Sequence, residues 1–220
     1  IFLMTRTIGP EYLLSKQKRN LDVIGAAIIS ASIAPLAAVV GATLAVDTRS
    51  NPLFVQERSG GVQDSIRTYK FRTLAGTIGK TAGWRTFGAF DHRASRFGQF
   101  IRQAGLDEIP QLVNVLKGDM SLVGSRPILE EDLDKYRDAD SKLFDDWLPL
   151  YRQSKPGITG ESQIHRHHYR GLSDTLRTDS MRMDLSYFEN ASIAADLYWL
   201  SHTPIMLAQA NLGVMTVEES

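Results

Sequence analysis

The chain is 220 residues long, with 43% hydrophobic and 23% charged residues, enough for one sizeable domain or a domain with an anchor. It contains no cysteine, which excludes disulfides, thiolate metal sites and a cysteine nucleophile. Formal net charge is zero but unevenly spread. Arg49 to Arg102 holds ten Lys or Arg against three Asp or Glu, and Gln103 to the end holds eleven against nineteen, so the first half suits an anionic partner.

Residues 1–19 read as an N-terminal segment that closes on Lys16, Lys18 and Arg19. The run VIGAAIISASIAPLAAVVGATLAV, Val23 to Val46, carries no charge. It matches the length of about 20 residues that a bilayer-spanning helix needs. Pro35 removes a backbone hydrogen bond near its middle, which predicts a kink. The helix either crosses, or enters, bends at Ala34-Pro35 and returns to the same face. Basic residues on both flanks (Lys18, Arg19, Arg49, Arg58) favour two cytoplasmic ends. A core helix of a soluble domain is the weaker alternative for so long an uncharged run. This divides the chain into residues 1–19, a re-entrant membrane helix at 20–47, and a cytoplasmic catalytic domain at 48–220.

PLFVQERSG and SIRTYKFRTL predict two short strands around the turn GGVQD. AGTIGKTAGWRTFGAF reads as a loop; its GKT is not a nucleotide-binding Walker motif, because position 74, where that motif needs glycine, is Leu74. SRFGQFIRQA predicts a short helix, followed by a second that starts at LDEIPQLVNVLKGDMSLVG. Leu133, Tyr136, Leu143, Phe144 and Trp147 fall along one face of a helix over 130–147. KPGITG reads as a turn. The C-terminal third predicts a helical pattern broken near Pro204, with Tyr198, Trp199 and Leu200 as interfacial anchors or core residues. The expected class is α/β, mainly helical with a small β-hairpin, anchored by a helix–break–helix and interfacial amphipathic helices.

Pro110 fits only the first turn of a helix, so the helix starts around Leu106, with Asp107 and Glu108 in its first turn. Acids there favour the helix dipole by about 0.3–1 kcal/mol, which explains the pair without any chemistry. The surrounding cations add a chemical reading. Arg58, Arg67, Lys70, Arg72, Arg93, Arg96 and Arg102 lie upstream, and Arg126 follows in VGSRP. Arginine forks grip phosphate oxygens in pairs. Such a cluster can hold a polyphosphate and keep one carboxylate ionised as a nucleophile, while the other carboxylate helps hold Mg²⁺. His165, His167 and His168 in HRHHY lack a recognised metal-ligand spacing and read as surface or substrate-contact residues.

KRNLDVIGAAIISASIAPLAAVV, PLFVQERSG, YKFRTL, DHRASRFGQFIRQAGLDEIPQLVNVLKGDMSLVGSRP and PGITG occur in the order seen in the bacterial sugar transferases, which the chain resembles over about residues 16 to 205. These are the monotopic polyprenyl-phosphate phosphoglycosyl transferases that start exopolysaccharide and O-antigen synthesis. The resemblance implies a nucleophilic Asp107, which attacks the β-phosphate of a UDP-sugar, forms a phosphosugar-aspartate and releases UMP. It implies Glu108 as the dyad partner linked to Mg²⁺, with Asp107 also near the metal. Undecaprenyl phosphate then takes the phosphosugar. Lys70, Arg72, Arg102 and Arg126 match phosphate-binding positions, and Asp91 and Arg93 resemble the family's DxR, as substrate contact or structural ion pair.

Further implied are a place on the cytoplasmic face of a bacterial inner membrane, contact with membrane lipid, and a homodimer and downstream glycosyltransferases as further partners, with no role for nucleic acid. Ser125 stands where the family usually has proline, and Leu74 where it commonly has Met. Ala34 replaces the serine of the usual Ser-Pro bend, a hydroxyl that Ser30 or Ser32 is placed to supply. The rival readings are a catalytically silent membrane adaptor that binds anionic lipid or nucleotide-sugar, and a soluble nucleotide-sugar-binding module. The intact Asp107-Glu108 pair argues against the first and the apolar run against the second.

Overall fold

The computed structural model describes residues 8–75, 94–168 and 174–211. One turn of helix, α1 (Pro10–Leu13), leads into α2 (Lys16–Thr48). Ser15 caps α2, its hydroxyl accepting from the Lys18 N–H at 3.1 Å, which satisfies one orphan donor of the helix start. At 33 residues α2 is about 50 Å long, from 1.5 Å per residue.

The break expected at Ala34-Pro35 is not seen. The helix runs through Pro35, which lies on its exposed side. Ser32 donates to the Ile28 carbonyl at 2.9 Å, so its hydroxyl is spent one turn back rather than on the Ala31 carbonyl that proline leaves unbonded. Lys18, Asp22, Ala26, Val40, Gly41, Leu44 and Thr48 are buried, and Ile29, Ile33 and Ala37 pack partly buried between them. Their spacing of three and four residues is a single helical face. The other side exposes Ile24, Ile28, Leu36, Val39 and Val46. Only 11% of the most apolar window is buried, far too little for the core helix of a soluble domain.

The hairpin forms as expected: β1 (Leu53–Gly60) pairs antiparallel with β2 (Gln63–Phe71). The tight turn needs Gly61, whose φ of 63° and close approach to the Ser154 carbonyl leave no room for a side chain. Next come α3 (Arg96–Gln103), capped by Ser95, and a 3₁₀ turn (Leu106–Gln111) that continues into α4 (Leu112–Lys117). The first turn of the predicted Leu106 helix is therefore 3₁₀ rather than α, with Pro110 inside it. KPGITG is more than a turn: β4 (Gly157–Thr159) runs parallel to β3 (Ser121–Val123).

The helix expected over 130–147 is a short 3₁₀ turn and two helices, α5 (Leu133–Ala139) and α6 (Ser141–Gln153), separated by Asp140. Asp140 is extended and accepts from the Leu143 N–H at 3.0 Å, so it caps the second helix. Then follow α7 (Glu161–His168), α8 (Asp174–Asn190) and α9 (Ile193–Asn211). The C-terminal break falls at Ala191-Ser192, not at Pro204, which α9 accommodates on its exposed side. The described residues are thus mainly helical, with two small two-stranded sheets.

Trp147 anchors the core. It is fully buried, stacks on Tyr136 and Tyr151 at centroid distances of 5.6 and 4.5 Å, and donates its indole N–H to Asp184 at 3.1 Å. A polar cluster is buried within the same core. Lys18 Nζ donates to Asp196 Oδ2 at 2.7 Å and to the Val123 carbonyl at 2.9 Å. The Tyr12 and Tyr187 hydroxyls also donate to Asp196, at 2.8 and 2.7 Å. Asp22 accepts from Ser121 Oγ and the Leu122 N–H, both at 2.9 Å. This cluster ties the start of α2 to α1, β3, α8 and α9.

Candidate active site

Alternation along the hairpin places Arg58 on the same face as Thr68 and Lys70, since Arg58 pairs with Ile66, two residues from Thr68. Asn114 locks that face against the acids. Its buried carboxamide accepts from the Tyr69 N–H at 3.1 Å and donates to the Arg67 carbonyl at 2.6 Å, joining α4 to β2. Lys70 is thereby held against Glu108, with Nζ 2.5 Å from Oε1. Arg58 is fixed by donation to the Pro127 carbonyl at 3.0 Å and to Gln56 Oε1. Arg58, Thr68, Lys70, Glu108, Gln111, Arg126, Pro127 and Gln163 line a small cavity open to solvent.

The two acids differ. Burial pushes Asp107 up to about 6, with adjacent Glu108 adding to the rise and Lys70 and Arg102 opposing it. Burial acts on Glu108 in the same sense, but Lys70, Arg126 and Arg58 outweigh it and hold this carboxyl well below its usual range. Burial in turn lowers Lys70 and Arg58. The physical cause of the split is that Glu108 takes the lysine, leaving Asp107 the more basic carboxylate. Paired groups with divided basicity take different chemical roles.

The remaining candidates are distributed as follows. Arg126 reaches the cavity; Arg102, on α3, acts on Asp107 and donates to Thr73 Oγ1 at 3.4 Å. Asp107, Arg102 and Arg72 are not among the residues that line the cavity; Asp107 adjoins it through its neighbour Glu108, while Arg72 donates to the Asn51 carbonyl at 3.1 Å and lies over the Phe54 ring. Asp91 and Arg93 lie outside the described residues. His165 sits 4.0 Å from Asp179. Gln111, Asn114 and Gln163 were not singled out from the sequence. For Gln111 a signal existed, because residues three apart in a 3₁₀ turn share a face, and Gln111 is three beyond Glu108.

Among the described residues no group of three or more His, Asp or Glu is placed to hold a metal by protein ligands alone. A hard divalent ion can be held by as few as one or two carboxylates when phosphate and water complete its shell, and Asp107 and Glu108 are adjacent carboxylates, with Glu108 already paired to Lys70.

A carboxylate pair of unequal basicity among converging arginines and a lysine has the make-up of a phosphate-handling site. The chain matches the bacterial sugar transferase family over residues 13–210, and it belongs to that family. It is 33% identical over 206 residues to the UDP-glucose:undecaprenyl-phosphate glucose-1-phosphate transferase of Caulobacter vibrioides, covering 92% of this chain and 74% of that protein. It is 33% identical over 183 residues to the enzyme of the same name from Escherichia coli, and 29% identical over 194 residues to the exopolysaccharide production protein ExoY of Sinorhizobium fredii. The chain spans 80% of the Sinorhizobium protein and 38% of the Escherichia coli one.

Proposed function

We propose that the chain transfers a sugar 1-phosphate from a UDP-sugar to undecaprenyl phosphate at the cytoplasmic face of a bacterial inner membrane. The names of its relatives support the overall reaction. The observation that carries the mechanism is the Lys70–Glu108 ion pair, which leaves Asp107 basic beside Lys70 and Arg102. An Asp107 oxygen attacks the β-phosphorus, the bond to the bridging oxygen breaks, and UMP leaves with that oxygen. The acceptor's phosphate oxygen then attacks the same phosphorus and Asp107 is released as carboxylate. Arg58, Lys70 and Arg126 face the charge on the transferred phosphoryl group. Asp107 and Glu108 would hold Mg²⁺, which when bound neutralises phosphate oxygens.

Arg126 has the role of a two-toothed phosphate grip. Arg126→Lys keeps the charge and loses the fork, so kcat/KM should fall about tenfold or more, the scale of a lost charged hydrogen bond. UMP release from UDP-sugar measures it, and near-normal turnover would remove Arg126 from the phosphate site.

Attachment from one side is supported by the packing of α2. Its first turns are pinned by the Lys18, Asp22 and Asp196 cluster, and its last turns pack on Phe71 and Ile101 of the same body. A body bound near both ends of a helix cannot lie on both sides of a bilayer, while the exposed apolar face is free to meet lipid. Single cysteines at Ser15 and Ser50 are clean probes because the chain has none of its own. Both should react with a membrane-impermeant thiol reagent from the cytoplasmic side only; opposite-side labelling would rule out the one-sided arrangement.

A further inference from the structure

We propose that Gln111, together with Gln163, forms a neutral subsite that takes a hydroxyl-bearing group, the sugar of the donor, beside the cationic part of the cavity. The proposal rests on the phosphosugar-transfer reading above. Both side chains line the cavity and are more than nine-tenths buried, at 2% and 9% exposure. Gln163 Nε2 donates to the Gly124 and Gly157 carbonyls at 3.1 and 3.0 Å. Turning the amide over would set its oxygen against two carbonyl oxygens, so its orientation is fixed by its partners. That leaves Oε1 as an acceptor to which no described residue donates. The Gln111 carboxamide makes no hydrogen bond to any described residue and opens to the cavity, so both its donor and its acceptor are available to a ligand in place of water.

The chemistry of these two groups selects the ligand. An ionised phosphate only accepts hydrogen bonds, so it suits Arg58, Lys70 and Arg126 and would be repelled by Gln163 Oε1. A sugar hydroxyl both donates and accepts, and so can satisfy Gln163 Oε1 and either end of Gln111. Gln111 lies one 3₁₀ turn beyond Glu108, about 6 Å along the axis at 2.0 Å per residue. A phosphoryl group and the ring hydroxyls of the sugar it carries are separated by a distance of that order.

Gln111→Met removes the amide with little change in size, and since Gln111 bonds nothing within the fold, the melting temperature should stay unchanged. UMP release is measured for the full chain in native membrane vesicles with UDP-glucose, UDP-galactose and UDP-N-acetylglucosamine, alongside the inhibition constant of UDP. The best donor should lose about tenfold or more in kcat/KM and the three donors should become more alike, while UDP inhibition stays within about twofold. Equal losses for UDP and the UDP-sugars, or normal kcat/KM for every donor, would overturn the subsite. An unaltered chain that releases no UMP from any of the three and is not inhibited by UDP would instead sink the phosphosugar reading, and this inference with it.

Discussion

Asp107→Asn should abolish UMP release, by at least about three orders of magnitude, because under the proposed mechanism it removes the charge of the attacking oxygen rather than a contact to it. The fold should survive and become more stable at neutral pH. The folded-state value of Asp107 is raised by burial, so its ionisation opposes folding. The sign is specific. The protonated acid is favoured by the fold; that contribution is full below the unfolded-state value and is lost as pH rises through about 6. Asn should therefore raise the melting temperature at pH 7.5 and make no difference near pH 3. Under the proposed mechanism the same group should set the acid limb of activity in the unaltered chain, at a pH above the usual carboxylate range. Glu108→Gln removes the neighbouring negative charge and frees Lys70 to face Asp107, so any residual activity should show that limb shifted to lower pH. A limb that stays in place would mean that Asp107 is not the titrating group.

The second large effect is structural. Asp196→Ala leaves Lys18, Tyr12 and Tyr187 without their shared acceptor in a site where Lys18 is 4% and Asp196 0% exposed. Removing one partner of a buried ion pair costs about 3–5 kcal/mol, because the other charge stays buried. In a chain of this size that corresponds to a fall in melting temperature of roughly 10 °C. The loss should be larger than for an exposed pair such as Arg137–Asp134, whose removal should cost at most about 1 kcal/mol. The damage should concentrate where the cluster acts, so hydrogen exchange should rise first in the opening turns of α2 and in α9. Equal thermal losses for the two substitutions would show that the cluster does not hold the helix to the body.

The hairpin and the acid pair could be read from the sequence because their signals are local. Strand alternation around Gly60-Gly61 gives β1 and β2, and Pro110 dates the helix start that carries Asp107 and Glu108. β4 could not be read, because three residues have no period of their own. Its pairing depends on Gly124 and Gly157, where an added Cβ on Gly157 would stand 2.2 Å from the Gly124 nitrogen. The face of α2 was hidden for the opposite reason: apolar and small residues surround the helix on all sides, so no periodicity marks the side that packs. Asp140 and Ser192 were missed as helix boundaries although each caps the helix that follows, because the apolar pattern continues across them. The basic residues showed that an anion site exists but not its membership. Arg72 and Arg126 look alike in sequence, and only the fold sends one to Asn51 and the other to the cavity.

A covalent phosphosugar on Asp107 can be weighed, by intact-mass measurement of the purified chain with UDP-sugar and Mg²⁺ but no lipid acceptor. The unaltered chain should gain the mass of one phosphosugar as UMP is released, and lose it when undecaprenyl phosphate is added, while Asp107→Asn gains nothing. A phosphosugar adduct on Asp107→Asn, or UMP release by the unaltered chain only when the lipid is present and with no adduct at any time, would contradict it.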